Sequence, residues 1–145
     1  MSTTSRITIE IGKENNVSTY KSVYCHHDGY LSGVGKMLLE YYKDVETAAL
    51  LITFGDMSCL RKNIYPDSSK PHTFDKPQKD VCVFYCRDKG EDWNDVKPIE
   101  IVGKEQDLIK YQEEYNYLFK NGQWYVKKDY KSRFVRLTPE MIEKD

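Results

Sequence analysis

The sequence predicts an α+β domain: a mainly antiparallel sheet with two or three helices packed on one face. Three observations lead there. Two stretches with strand-like alternation open the chain, two stretches with helical spacing follow, and an Asn-Gly turn joins two aromatic segments near the end. Strands and helices that segregate along the chain, rather than alternating as βαβ units, give this layered class.

The first strand is expected over Arg6 to Ile11, where Ile7, Ile9 and Ile11 alternate with Arg6, Thr8 and Glu10 in the two-residue period of a half-buried strand. Gly12 to Asn16 turns the chain. A second strand runs from Val17 to Tyr24 or Cys25, with Val17, Thr19, Lys21, Val23 and Cys25 on one face and Ser18, Tyr20, Ser22 and Tyr24 on the other. Its β-branched and Tyr content favours a strand, and the two read as a hairpin. Asp28-Gly29 ends it. Val34, Met37, Leu38 and Tyr41 then make one apolar helical stripe. Asp44 caps a second helix through Val45, Ala48, Ala49 and Ile52 that stops at Gly55. Leu50, Leu51 and Phe54 make it apolar over most of its girth, so a central position is expected.

From 61 to 80 no period is visible, and Pro66, Pro71 and Pro77 stand among polar residues. Such a long irregular loop is uncommon within a domain and tends to be functional. Val81 to Tyr85 reads as a strand apolar on both faces, Asp88 to Asp92 as a polar turn, Ile99 to Val102 as a short strand and Glu105 to Gln112 as a short helix. Tyr115 to Phe119 and Trp124 to Val126 form a second hairpin. Asn121-Gly122 between them suits a type I′ turn, whose positive φ angles match the twist of the strands. Thr138-Pro139-Glu140 has the order N-cap, Pro, acid that opens a helix.

The chain has 145 residues and a mass of 17.1 kDa, which suits one domain over residues 1–145. Hydrophobic residues are 39%, charged residues 31% and the net charge is −1. Balanced charge with 13% aromatics argues against disorder and against a wholly basic nucleic-acid coat. No apolar run approaches the ~20 residues of a membrane span, and no export signal opens the chain. A cytoplasmic protein with reduced cysteines at 25, 59, 82 and 86 is therefore expected.

Several residue groups are candidates for chemistry. Tyr24-Cys25-His26-His27-Asp28-Gly29-Tyr30 holds two of the three histidines, and His72 lies in the long loop. A zinc site from Cys25, His26 or His27, His72 and Cys82 or Cys86 has the right donor types but lacks a Cys-x-x-Cys knuckle. Cys82 and Cys86 on one strand would lie ~13 Å apart. No metal, cofactor or catalytic residue is assigned, although a small metal-dependent enzyme around His26 and Asp28 stays an alternative. Cys25 and His26, adjacent on a strand, point to opposite faces and make no dyad.

Ser32-Gly33-Val34-Gly35-Lys36 at a helix start offers backbone amides and an ammonium to a small anion. Tyr30 and Met37 break the P-loop pattern. Between Lys120 and Arg136, six basic residues face one acid, Asp129, with Trp124, Tyr125, Tyr130 and Phe134 interleaved. Trp124, Lys127, Lys128, Lys131 and Arg133 are thus a candidate nucleic-acid surface, combining phosphate neutralisation with base stacking. The other reading is a solvated strand edge kept soluble by lysine. Twelve tyrosines favour contact surfaces and leave a homo-oligomer open.

Thr4-Ser5-Arg6-Ile7, the Tyr24–Tyr30 segment with Gly33, Gly55-Asp56-Met57-Ser58-Cys59-Leu60, Thr73-Phe74-Asp75, Arg87-Asp88-Lys89-Gly90-Glu91, Tyr115-Asn116-Tyr117-Leu118-Phe119 and Gly122-Gln123-Trp124 follow one another along the chain. This series resembles a family of small uncharacterised proteins of tailed bacteriophages and prophages. Tyr-Cys-His-x-Asp-Gly-Tyr is its specific part, and the family usually carries an aromatic where His27 stands. The resemblance implies a phage product in the cytoplasm of an infected host bacterium. It implies no catalytic residue and no cofactor. The expectation is a non-catalytic binding protein that engages a host protein or a small anionic host-made ligand, in host takeover or counter-defence. Its expected contact surface is His26, Asp28, Tyr30, Gly33, Gly35 and Lys36, together with His72 on the loop from Tyr65 to Asp75.

Overall fold

The computed structural model describes residues 2–128 and 133–145. The chain runs β1 (Ser5–Glu14), β2 (Val17–Cys25), a π-helical turn (Leu31–Gly35) leading into α1 (Lys36–Tyr41), α2 (Val45–Ile52), β3 (Met57–Cys59), β4 (Val83–Phe84), α3 (Tyr85–Lys89), α4 (Trp93–Val96), β5 (Ile99–Gly103), a 3-10 helix (Glu105–Tyr111), β6 (Tyr115–Lys120), β7 (Gln123–Lys127), β8 (Val135–Arg136) and α5 (Pro139–Glu143). The strands form one sheet in the order β4-β3-β2-β1-β6-β7-β8, with β5 also paired to β2.

The class is α+β, as the residue pattern predicts, but the sheet is mixed. The hairpins β1–β2 and β6–β7 are antiparallel, as short turns require, whereas β6 lies parallel to β1 and β3 parallel to β2. A local hairpin has only one possible direction. A strand that arrives by a long route has two, and nothing in its own residues states which.

α1 and α2 cover one face of the sheet. Ile7, Ile9, Val23, Cys25, Tyr117, Phe119, Trp124 and Val126 meet Leu31, Val34, Leu38, Tyr42, Leu51 and Ile52 there, and Met141 and Ile142 of α5 pack against the same core. Asp44 caps α2 by accepting the Thr47 N–H at 2.8 Å. The helix is not central, however: Ala48, Leu51 and Ile52 are buried while Val45 and Leu50 are exposed. Only one sheet face is offered to it, so half of its apolar girth has nothing to pack on. Ile11 is also exposed. A register shift between Glu10 and Gly12 breaks the alternation that Ile7 and Ile9 obey.

The expected strand at Val81 to Tyr85 shrinks to Val83–Phe84, because Tyr85 already begins α3. Asp88 is not part of a hydrated turn: its carboxylate accepts the Phe84 N–H at 2.8 Å and fixes the first turn of α3.

The second face of the sheet is covered as well. Tyr20, Ile101, Leu108 and Leu118 form a smaller core beneath the 3-10 helix, with Tyr125 and Phe134 packed against it. Thr8 and Ser22 satisfy one another there at 2.8 Å, which lets two hydroxyls be buried at little cost. Among the described residues no helix is long and apolar enough to cross a membrane.

Candidate functional site

The predicted surface from His26 to Lys36 is a tightly fastened turn. The Asp28 carbonyl, on a residue at φ 58, accepts the Val34 N–H at 2.8 Å. A Cβ on Gly33 would stand 2.2 Å from that same carbonyl oxygen, so the backbone can approach only because residue 33 has no side chain. Gly35 faces the buried Tyr117 hydroxyl, which donates to the Gly29 carbonyl at 2.7 Å. The glycines therefore serve packing.

The polar side chains of this turn have partners nearby. Asp28 receives the Tyr30 hydroxyl at 3.1 Å and lies 3.6 Å from Arg61. His26 Nδ1 and the Tyr24 hydroxyl share a hydrogen bond of 2.7 Å, and His27 Nδ1 pairs with the Ser2 hydroxyl at 2.9 Å. The Ser32 N–H, the amide that sequence offers to an anion, donates to the Asp145 side chain at 2.8 Å. Lys36 is exposed.

His72 does not join this surface. Its side chain is 3% exposed and closes the long loop onto α3. Nδ1 accepts the Gln78 N–H at 2.9 Å, so Nε2 carries the hydrogen and donates to the Cys82 carbonyl at 3.1 Å. Asp88 lies 3.4 Å from Nε2. Arg87 completes the group, donating to Asp88, to the Ile64 carbonyl at 2.7 Å and to the Cys82 carbonyl at 3.0 Å, over the Phe84 ring at 4.8 Å. The polarity of His72 is thus explained by structure, and the expectation that it lines a contact surface is corrected. Among the described residues no three His, Cys, Asp or Glu side chains are placed to hold a metal ion.

The basic aromatic segment divides between the two faces of the sheet. Trp124 is buried in the main core, and its indole N–H donates to the Tyr42 carbonyl at 2.8 Å. It is not available to stack on a base, which corrects that part of the nucleic-acid reading. Alternation along β7 sends Tyr125 and Lys127 to the other face. Lys128 lies 5.8 Å from the Tyr115 ring centroid, and Lys131 falls outside the described residues.

On that second face the structure forms a cavity of about 350 Å³. Arg6 and Thr8 of β1 make its floor with Asn116 of β6. The 3-10 helix supplies Leu108 and Ile109, and Lys127, Arg133 and Phe134 close the far side. Among the described residues, three cations thus border it against one carboxylate, Glu105, which Lys120 already holds. Lys127 donates to Gln112 at 3.2 Å. Asn116 is spent on fastening: it accepts the Glu113 N–H at 2.8 Å and donates to the Glu113 carbonyl at 2.9 Å.

Arg6 is the unusual member. Nε donates to the Tyr111 carbonyl at 3.1 Å, while Nη1 is buried and has no hydrogen-bond partner among the described residues. Burial lowers its pKa, and the nearby Asp56 and Glu113 carboxylates oppose that shift. Arginine does not give up its proton in a protein, so the lowering expresses an incompletely solvated cation rather than a neutral one.

The alternation of β1 places Arg6 and Thr8 on the polar face, where sequence alone reads them as solvated. One signal pointed the other way. Tyr115 to Phe119 is rich in large residues on both faces, which requires that the second face also be covered. Comparison with protein-family models, with curated proteins and with solved structures gave no match for this chain.

Proposed function

We propose that this is a phage-encoded, non-catalytic binding protein that takes up a host-made small ligand in the cavity over Arg6, in host takeover or counter-defence. The observation that carries the reading is the cavity itself: an apolar wall of Leu108, Ile109 and Phe134 facing polar and cationic groups from three separate elements. Concave, mostly apolar sites with a few convergent polar groups are the usual form of small-ligand sites. The phage setting rests on the resemblance of the Tyr24–Tyr30 segment and the accompanying motifs. The nucleic-acid alternative keeps Lys127, Lys128 and Arg133 but loses the stacking role of Trp124, so the small-ligand reading is preferred.

The test is native mass spectrometry of the protein purified from bacteria. A bound small molecule is expected, lost on denaturation and much reduced in Ile109→Trp, which places a large ring at the cavity wall. A bare chain that instead recovers a host protein stoichiometrically contradicts the small-ligand reading.

A further inference from the structure

We infer that the cavity takes a small organic monoanion, its charged head held by the Arg6 guanidinium and its apolar body laid against Leu108, Ile109 and Phe134. This inference rests on the binding reading above and adds the chemistry of the ligand. It begins with a comparison of two half-buried arginines. Arg87 spends its nitrogens on Asp88 and on the carbonyls of Ile64 and Cys82. Arg6 donates from Nε alone, to a single carbonyl, and keeps a buried Nη1 without an acceptor among the described residues. A donor held out of water without an acceptor destabilises the fold. Nη1 has no exposed surface, so an anion reaches it only once the Arg6 side chain turns toward the cavity that it lines.

A planar guanidinium with free donors matches a carboxylate, sulfonate or phosphate through paired N–H···O bonds, the strongest class of neutralising contact. Lys127 and Arg133 add positive potential on the opposite wall, and the Glu105 carboxylate is occupied by Lys120. Among the described residues the space is bordered by three cations, offset in part at Arg6 by the nearby Asp56 and Glu113, and the balance draws an incoming anion.

Size and wall chemistry narrow the class. A volume of about 350 Å³ is at the small end of ligand pockets and suits a small molecule better than an oligonucleotide or a folded peptide segment. The apolar wall gives a bare inorganic anion nothing to bury, so an organic body contributes part of the affinity. The turn at Ser32 makes no competing site, since its amide is taken by Asp145 at 2.8 Å.

The experiment is a fluorescence titration of the full chain with two probes. One is anilinonaphthalene sulfonate, an aromatic monoanion. The other is phenylnaphthylamine, which has the same ring body and no charge. The wild type is expected to bind the sulfonate at one saturable site, about tenfold or more tighter than the neutral amine. Arg6→Met is expected to weaken the sulfonate by about tenfold or more and to leave the amine unchanged. Arg6→Lys, which keeps the charge and loses the fork, is expected to fall between. Lys43→Met, an exposed lysine between α1 and α2, leaves both probes unaffected.

The wild-type comparison of the two probes needs no variant, so it decides the matter even if Arg6→Met folds poorly. Equal affinity for the two probes, or sulfonate binding unmoved in folded Arg6→Met, overturns the anion inference and leaves the cavity as a site for a neutral ligand. If neither probe binds, or if Ile109→Trp binds both as the wild type does, the cavity is not the site and the binding reading falls with it.

Discussion

Replacing Asp88 by Ala tests the closure of the long loop. The Asp88 side chain is 3% exposed and accepts three hydrogen bonds: Phe84 N–H at 2.8 Å, Arg87 Nε at 2.8 Å and Arg87 Nη2 at 3.0 Å. The Phe84 amide, left without an acceptor at the entry to α3, costs about 1–3 kcal/mol. Losing one partner of a buried ion pair costs about 3–5 kcal/mol, but Arg87 is 24% exposed and keeps its carbonyl acceptors at Ile64 and Cys82, so the lower end applies. The sum is about 4–6 kcal/mol, a large part of the roughly 5–15 kcal/mol by which a domain is stable. Asp88→Asn keeps an oxygen for the Phe84 amide and should cost about half as much. Urea unfolding followed by circular dichroism measures this as a lower midpoint at constant slope. A loss below about 1 kcal/mol in Asp88→Ala, within the range of ordinary surface changes, would refute the claim that this group fastens the loop.

Other expectations concern separate parts of the fold. Cys25 is buried and its thiol is pushed up to about 12 by burial, and Cys82 is buried with its pKa also raised by burial, while Cys59 and Cys86 are partly exposed. Iodoacetamide at mildly alkaline pH should therefore label Cys59 and Cys86 in the folded protein and reach Cys25 and Cys82 only after unfolding, as read by peptide mass mapping. Trp124→Phe should destabilise by about 1–3 kcal/mol, through lost volume and an unpaired Tyr42 carbonyl. A fully quenchable, water-exposed Trp124 emission would contradict its burial. Burial raises the Asp56 carboxyl above its ordinary 3.8, against the opposing pull of the Tyr24 amide and Arg6. The folded state thus holds that proton more tightly. The resulting penalty is full above the folded pKa and fades as pH falls towards 3.8. Asp56→Asn, which keeps an acceptor for the Tyr24 N–H, should gain stability relative to wild type at neutral pH and lose that advantage in acid, measured by urea midpoints at both.

Local signals were legible where one short segment settles its own geometry. Asn121 and Gly122 take φ 52 and 75 in the second hairpin turn, Asp44 accepts Thr47 N–H, and Thr138 accepts Met141 N–H at 3.3 Å. Long-range facts were not legible. The direction of β6 beside β1 depends on a connection that passes through β5 and the 3-10 helix. β3 and β4 are too short to show a period. Trp124 stands among lysines, and only the position of α1 and α2 decides that the Trp124 and Val126 face is the inner one. Arg6 has the alternation of a solvent-facing strand residue until the 3-10 helix and Phe134 cover it. His72 reads in the sequence as a contact residue of the long loop because its partners, Cys82 and Asp88, lie outside that loop. The turn from His26 to Lys36 drew attention through its glycines and polar side chains, and much of that chemistry is consumed in holding the turn itself.

The most direct test of the account is where a small organic anion perturbs the backbone amides. In ¹H–¹⁵N spectra of the full chain titrated with anilinonaphthalene sulfonate, the account predicts that saturable shifts concentrate at Arg6, Thr8, Leu108, Ile109, Lys127 and Phe134. Shifts that cluster instead between His26 and Lys36, with the amides around Arg6 unmoved, would contradict it.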